Sequence, residues 1–136
     1  MAETFQLEIV TPEKLVVRDS VEEAQIPGRN GYLGVLPGHA PLITELGAGE
    51  ISYRSGGQLH RFAMAWGFAE VLPDRVTVLA ETVERPDEID VARAERSLKE
   101  AEESLKSAQT EEDFSIATGK IERAQARLDV SRRQEG

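Results

Sequence analysis

The spacing of apolar residues changes partway along this 136-residue chain. Up to about residue 84, apolar and polar residues alternate, as in Phe5, Leu7 and Ile9. This period of two is typical of β-strands with one buried face. Turn residues separate the runs, and Ser55-Gly56-Gly57 between two such runs predicts a β-hairpin. Many short strands without helices between them indicate an antiparallel sandwich or barrel, and we predict a β-sandwich over residues 1–84.

From residue 85 onward the apolar residues follow a heptad spacing. The first seam comprises Val91, Ala94, Leu98, Ala101, Leu105 and Ala108, and the second comprises Phe114, Ala117, Ile121, Ala124, Leu128 and Ser131. Two matched seams joined by a polar stretch at 109–113 predict an antiparallel two-helix hairpin over residues 85–136. Alanine buries little area, so we expect a weakly held hairpin that is able to move.

The composition changes at the same point. All six prolines, nine of the eleven glycines and six of the seven aromatic residues lie at or before residue 86. The remainder is rich in Ala, Glu, Arg, Lys and Leu, which is typical of long helices. The predicted fold class is therefore α+β in two parts.

Several functions are disfavoured by charge and residue content. The chain has no cysteine and two histidines, so we expect no disulfide and no metal site. Its net charge of −9 argues against nucleic-acid binding. The longest uncharged apolar stretch, 62–69, is far shorter than the roughly 20 residues of a spanning helix. The N-terminus lacks the features of a signal peptide, which predicts a location on the cytoplasmic side.

The sequence contains no recognisable catalytic constellation. There is neither a phosphate-binding Gly-Lys-Ser/Thr loop nor a Gly-x-Ser-x-Gly elbow. His39, between two prolines, could act as a general base. No nucleophile stands near it in sequence, so a structural or interface role is favoured. We predict that the protein is not an enzyme.

Four arginines are predicted to gather at the open end of the hairpin. Reflecting the helices about the loop brings Arg93 and Arg96 near Arg123 and Arg127. One interpretation is an ordinary solvated charge network with neighbouring acids. The other is a phosphate-binding cluster, because planar guanidinium groups suit multidentate phosphate contacts.

Three separated motifs resemble one known family. Residues 31–44 (GYLGVLPGHAPLIT), 66–71 (WGFAEV) and 89–94 (IDVARA) are similar in sequence and order to signatures of the ε subunit of bacterial and chloroplast F-type ATP synthases, called δ in mitochondria. The resemblance implies a non-catalytic central-stalk subunit. In that family the sandwich attaches to the γ subunit and rests on the c ring. In many bacterial members the hairpin can fold down on the sandwich or extend toward the catalytic α and β subunits, where it inhibits ATP hydrolysis.

The resemblance also implies a regulatory ATP site and no required cofactor. The positions that match the ATP-binding residues of some members are Glu84, Ile89, Asp90, Arg93, Ala94, Arg123 and Arg127. Glu100 stands where those members have an arginine, which is expected to weaken ATP binding. Arg96, one turn earlier, is a candidate to compensate.

Two further positions are assigned to interfaces by the resemblance. Tyr32 stands where many relatives carry an acid that touches the c ring, and His39 matches a histidine on the γ-facing side. The implied location is the cytoplasmic face of the bacterial plasma membrane, or a thylakoid membrane, reached through partner subunits. The alternative is a free-standing cytosolic nucleotide-sensing adaptor of the same architecture. A rotor subunit, unlike that adaptor, must expose an apolar patch for γ to cover.

Overall fold

The computed structural model describes residues 3–133, which form eight strands followed by two helices. The strands are β1 (Phe5–Val10), β2 (Leu15–Val21), β3 (Glu23–Gly28), β4 (Gly31–Val35), β5 (Leu42–Leu46), β6 (Gly49–Ser55), β7 (Gln58–Val71) and β8 (Arg75–Glu84). A short 3-10 helix (Pro86–Glu88) leads to α1 (Val91–Lys106) and α2 (Glu111–Arg133). The two-part α+β fold class predicted from the sequence is confirmed.

The strands pair in the order β2-β1-β8-β7-β5-β3-β4, and β6 pairs with both β3 and β7. The predicted hairpin joins β6 to β7, and Gly56 and Gly57 both have positive φ angles, as a tight two-residue turn requires. β1 and β8 run parallel, whereas the other strand pairs within residues 3–133 are antiparallel. The predicted antiparallel sandwich is thus confirmed, with one parallel pair between β1 and β8. The rest of the sandwich serves as the long crossover that a parallel pair needs.

The sandwich closes around a single apolar core. Alternate residues of β1, such as Leu7 and Ile9, are fully buried, as the period-two pattern predicts. The other fully buried large side chains of this core are Val21, Ile26, Val35, Leu46, Ile51, Met64, Val71, Val76 and Val78. Each contributes roughly 1.5–3 kcal/mol of burial free energy, which makes the sandwich the rigid part of the molecule.

Strand β7 changes its core-facing side halfway along. Met64 faces the core before the change and Ala69 after it, so an even-numbered pattern becomes odd-numbered. Between them Trp66 has a φ of 56°, which is unusual for a bulky residue. β7 also changes partner here, from β6 up to Met64 to β5 from Gly67 onward. This kink lets one long strand serve two parts of the sandwich.

The kink requires glycine at position 67. A Cβ atom there would lie 1.9 Å from the carbonyl oxygen of Leu79 and 3.0 Å from the Cα of Ala80. Because both are backbone atoms, Gly67→Ala is expected to lower the free energy of unfolding by about 3 kcal/mol, seen as a lower urea midpoint. Gly34→Ala is the control, since nothing lies within 4 Å of its Cβ position. Equal midpoints for the two variants would contradict this account.

Side-chain caps begin both helices. The Asp90 carboxylate accepts a hydrogen bond from the Arg93 amide at 3.1 Å and caps α1. The Thr110 hydroxyl accepts one from the Asp113 amide at 3.0 Å at the start of α2. These caps satisfy amides that a helix leaves unpaired in its first turn.

Small residues hold the two helices together. The buried seam positions are Ala94, Ala101, Ala117, Ala124 and Leu128, whereas the predicted seam residues Val91 and Phe114 are largely exposed. The fully buried seam positions are therefore mostly alanines, whereas Leu98, Leu105 and Ile121 are partly buried.

The hairpin lies on the sandwich through α2. This helix contacts β6, β7 and the 3-10 helix. Val130 forms a small buried cluster with Ala63 and Ile89. Nearer the start of α2, Gly119 faces the indole ring of Trp66, and a Cβ on Gly119 would lie 3.5 Å from the ring. The contacts that hold the docked position thus include small residues, among them Ala63 on the sandwich and Gly119 on α2.

Candidate functional sites

The outer surface of β5, β7 and β8 exposes three large apolar side chains. Ile43 is 73% exposed, Phe68 55% and Leu79 53%. Phe68 lies directly opposite Leu79 across the ladder between β7 and β8. We call Ile43, Phe68 and Leu79 the apolar face. A cavity of about 680 Å³ opens beside it, with Trp66 and Leu46 in its lining. Apolar side chains exposed together on a rigid sheet are typical of a protein-binding surface.

Carboxylates surround the apolar face. Glu45 lies opposite Phe68 on β5, and Glu70 lies opposite Ile43. Glu81 follows on β8 and lines the cavity. Arg29 pairs with Glu45 at 2.7 Å. A partner suited to this surface therefore has an apolar centre with basic residues around it.

Tyr32 lies in β4, next to the turn between β3 and β4. Its side chain is 55% exposed, and its hydroxyl accepts a hydrogen bond from the Glu50 amide at 3.0 Å. Gly49 permits this approach, because a Cβ there would lie 2.7 Å from the Tyr32 hydroxyl oxygen. The hydrogen bond fixes the ring beside an open, mainly polar cavity of about 520 Å³ that includes the turn residues Arg29 and Asn30.

His39 is held by backbone groups. Its Nδ1 atom lies 2.7 Å from the Ala40 carbonyl oxygen, an arrangement in which Nδ1–H donates. The loop around it is fixed by the Gly38 amide, which donates to the Pro73 carbonyl at 2.8 Å. These contacts orient the half-buried ring but supply no nucleophile for it to activate.

A groove of about 250 Å³ lies between α1 and α2. Its lining comprises Ser97, Glu100, Ala101, Ser104, Lys120, Arg123, Ala124 and Arg127. Lys120 was not among the site residues predicted from the sequence. The sequence could have indicated Lys120, because it stands three residues before Arg123 and seven before Arg127 and so shares their helix face. Three cations and one carboxylate around two serine hydroxyls can bind a polyanion.

The predicted ATP-binding residues are not all in the groove. Glu84 forms an ion pair with Arg127 at 2.5 Å, so the end of β8 lies beside the groove. Ile89 is buried under α2, and Ala94 lies in the helix seam. Asp90 serves as the cap of α1, and Arg93 is exposed outside the groove lining. Arg96 is likewise exposed outside that lining.

The described residues hold neither a candidate metal site nor a candidate membrane-spanning helix. Within residues 3–133, no group of three or more histidine, aspartate or glutamate side chains is arranged to hold a metal ion. In the same range, neither helix combines the length and apolar character needed to cross a membrane.

Comparison with known families matches both parts of the chain. Residues 4–86 match the β-sandwich domain of the ATP synthase delta/epsilon chain. Residues 87–132 match the long α-helix domain of the same chain. The chain belongs to the ATP synthase delta/epsilon family. The resemblance inferred from the three motifs is thereby confirmed.

Individual relatives support the bacterial type of epsilon subunit. The ATP synthase epsilon chain of Koribacter versatilis is 66% identical over 108 residues, covering 79% of this chain and 76% of that protein. The epsilon chain of Geotalea uraniireducens is 46% identical over 132 residues, covering 96% of each. This family membership identifies a non-catalytic part of an F-type ATP synthase.

Two solved structures share the fold. A chain of the Euglena gracilis mitochondrial ATP synthase, solved with OSCP, F1 and c-ring, has a TM-score of 0.82 at 21% identity, covering 94% of this chain and 81% of that one. A chain of the Tetrahymena thermophila mitochondrial ATP synthase central stalk and c-ring has a TM-score of 0.72 at 10% identity, covering 95% and 97%. At these identities the likeness establishes the fold.

Proposed function

We propose that this epsilon-family chain is a rotor subunit that attaches γ to the c ring and regulates ATP hydrolysis through its hairpin. The apolar face carries this proposal. Three exposed apolar side chains on a rigid sheet would be costly in a free monomer, but a partner that covers them gains their burial free energy. Co-elution of the purified chain with γ on size exclusion is the direct test.

The exposed Tyr32 and the turn before it are the proposed contact with the c ring. Tyr32 is fixed by its hydrogen bond to the Glu50 amide, and the neighbouring cavity is mainly polar. A phenol can form a hydrogen bond with a polar loop but cannot supply the charge of an acid. We therefore propose a contact with the c ring that depends little on salt at this residue. His39, in the loop after β4, is proposed to lie at the γ interface.

The hairpin is proposed to regulate hydrolysis by leaving the sandwich and reaching toward α and β. This proposal is supported by the small size of several docking contacts of α2, among them the Val130 cluster, the Gly119 contact and the Glu84–Arg127 pair. Fully burying one valine side chain is worth roughly 2 kcal/mol. A partly exposed ion pair adds less than about 1 kcal/mol. Such an interface allows the docked and extended positions to be close in free energy.

The groove between α1 and α2 is proposed to bind ATP as a regulatory ligand. Lys120, Arg123 and Arg127 supply positive charge, while Glu100 opposes it. ATP that contacts both helices would stabilise the docked hairpin. A ligand shifts an equilibrium between two conformations by its differential affinity for them. No other cofactor is proposed.

Arg123→Ala is expected to weaken ATP binding roughly tenfold to hundredfold in calorimetry of the full chain, since a charge-assisted contact is worth about 1.5–3 kcal/mol. Arg96→Ala is the matched control, because this arginine lies outside the groove lining and should leave the affinity unchanged. Equal losses in both variants would indicate nonspecific attraction. Absence of heat for the native chain at millimolar ATP with magnesium would refute the ATP proposal.

The second candidate function is a free-standing cytosolic nucleotide-sensing adaptor. It shares the groove between the helices, so the groove does not distinguish the two functions. The apolar face favours the rotor subunit, because an adaptor without a large partner has no need of it. The proposed rotor function implies that the chain lies at the cytoplasmic face of the membrane, where partner subunits hold it.

A further inference from the structure

The contact between Trp66 and Gly119 joins a locally unfavourable position of the sandwich to a locally unfavourable position of the hairpin. Trp66 has a φ of 56°, at the kink where β7 changes partner. Gly119 lies inside α2, where glycine costs about 1 kcal/mol relative to alanine. Each is unfavourable locally, and they meet: a Cβ on Gly119 would lie 3.5 Å from Cζ2 and 3.8 Å from Cη2 of the indole.

We propose that the indole of Trp66 is a latch that holds α2 on the sandwich, and that Gly119 is its seat. The half-buried ring faces α2 at this kink. The glycine keeps that part of α2 free of side-chain atoms, so the flat ring approaches the helix backbone. This latch lies eleven residues, or about 16 Å of helix, from the Val130 cluster. The two contacts therefore hold different parts of α2.

Substitutions at Gly119 can distinguish two roles of this glycine, namely close approach of the indole ring and local flexibility of the helix. A distance of 3.5 Å is ordinary van der Waals contact, so an alanine methyl group fits against the indole. Alanine also favours the helix. A leucine favours the helix too, but its branched end would occupy the space of the ring. If Gly119 serves as the seat, alanine preserves docking and leucine disrupts it, although both raise helix propensity.

The test is amide hydrogen exchange of the full purified chain, which needs no γ subunit or nucleotide and so is independent of the proposed rotor function. We expect Trp66→Ala and Gly119→Leu each to accelerate exchange in α2 about tenfold, while β1 and β8 keep their native rates. Gly119→Ala should exchange at the native rate or more slowly. Leu15→Ala, which removes an exposed apolar side chain from β2, away from α2, is the control for loss of apolar surface.

A double variant shows whether both changes act through one contact. Trp66→Ala combined with Gly119→Leu should exchange no faster than the faster single variant, because the latch can be lost once. As the only tryptophan in the chain, Trp66 also reports directly: its emission should change in Gly119→Leu and not in Gly119→Ala. Native exchange of α2 in both Trp66→Ala and Gly119→Leu, or additive effects in the double variant, would overturn the proposal.

Discussion

Replacing Phe68 by aspartate is expected to weaken binding to γ at least a hundredfold. Phe68 is more than half exposed at the centre of the apolar face, opposite Leu79 and flanked by Glu45. Burial of an aromatic side chain at an interface contributes roughly 2 kcal/mol. An unpaired carboxylate buried in its place adds a further penalty. Titration of γ with the native chain and the variant, followed by calorimetry, measures the difference.

The matched control is Leu59→Asp, on the same strand. Leu59 is 43% exposed and lies nine residues from Phe68, about 30 Å of extended chain, so its substitution should leave the affinity for γ unchanged. Because Phe68 points away from the core, both variants should keep the native unfolding midpoint. Native affinity in Phe68→Asp, or equal loss in Leu59→Asp, would show that γ binds elsewhere.

Truncation after Glu84 is expected to raise ATP hydrolysis roughly twofold or more in a complex rebuilt with α, β and γ. The proposed regulation requires that the hairpin leave the sandwich and reach an extended, inhibitory position. If the two positions were equally populated, half of the complexes would be inhibited, and removing the helices would double the rate. The measurement is the steady-state ATPase rate at equal subunit concentrations.

This experiment carries its own control for folding. The truncated chain keeps all eight strands and the apolar face, and it should therefore bind γ with the affinity of the full chain. Retained binding together with an increased rate would assign inhibition to the helices. Equal ATPase rates with retained binding would remove the inhibitory role and leave the sandwich its coupling role alone.

The sequence predicted the architecture well because its two periodicities are distinct. Alternation of Phe5, Leu7 and Ile9 in β1 and the heptad alanines of the hairpin each follow from which face is buried. The parallel pairing of β1 with β8 was not predictable in this way. Alternation fixes the buried face of a strand but carries no information about the direction of its neighbour.

The candidate sites were predicted less completely. Glu84, Arg123 and Arg127 do lie close together, because the end of β8 meets α2 beside the groove. The sequence led us to expect an exposed apolar patch but not its residues. These residues come from three strands, and their sequence positions do not indicate that they share a surface. The role of Gly119 as the seat was also not predictable. In the sequence this glycine indicates only a less stable helix, because its contact with Trp66 exists only in the folded chain.

The central claim is that γ covers the outer surface of β5, β7 and β8. Side-chain footprinting of the native chain by hydroxyl radicals, with and without γ, tests it most directly. We expect γ to protect Ile43, Phe68 and Leu79 strongly, while Leu59 and Leu15 remain as reactive as in the free chain. Unchanged reactivity of those three side chains in a saturated complex would contradict the account.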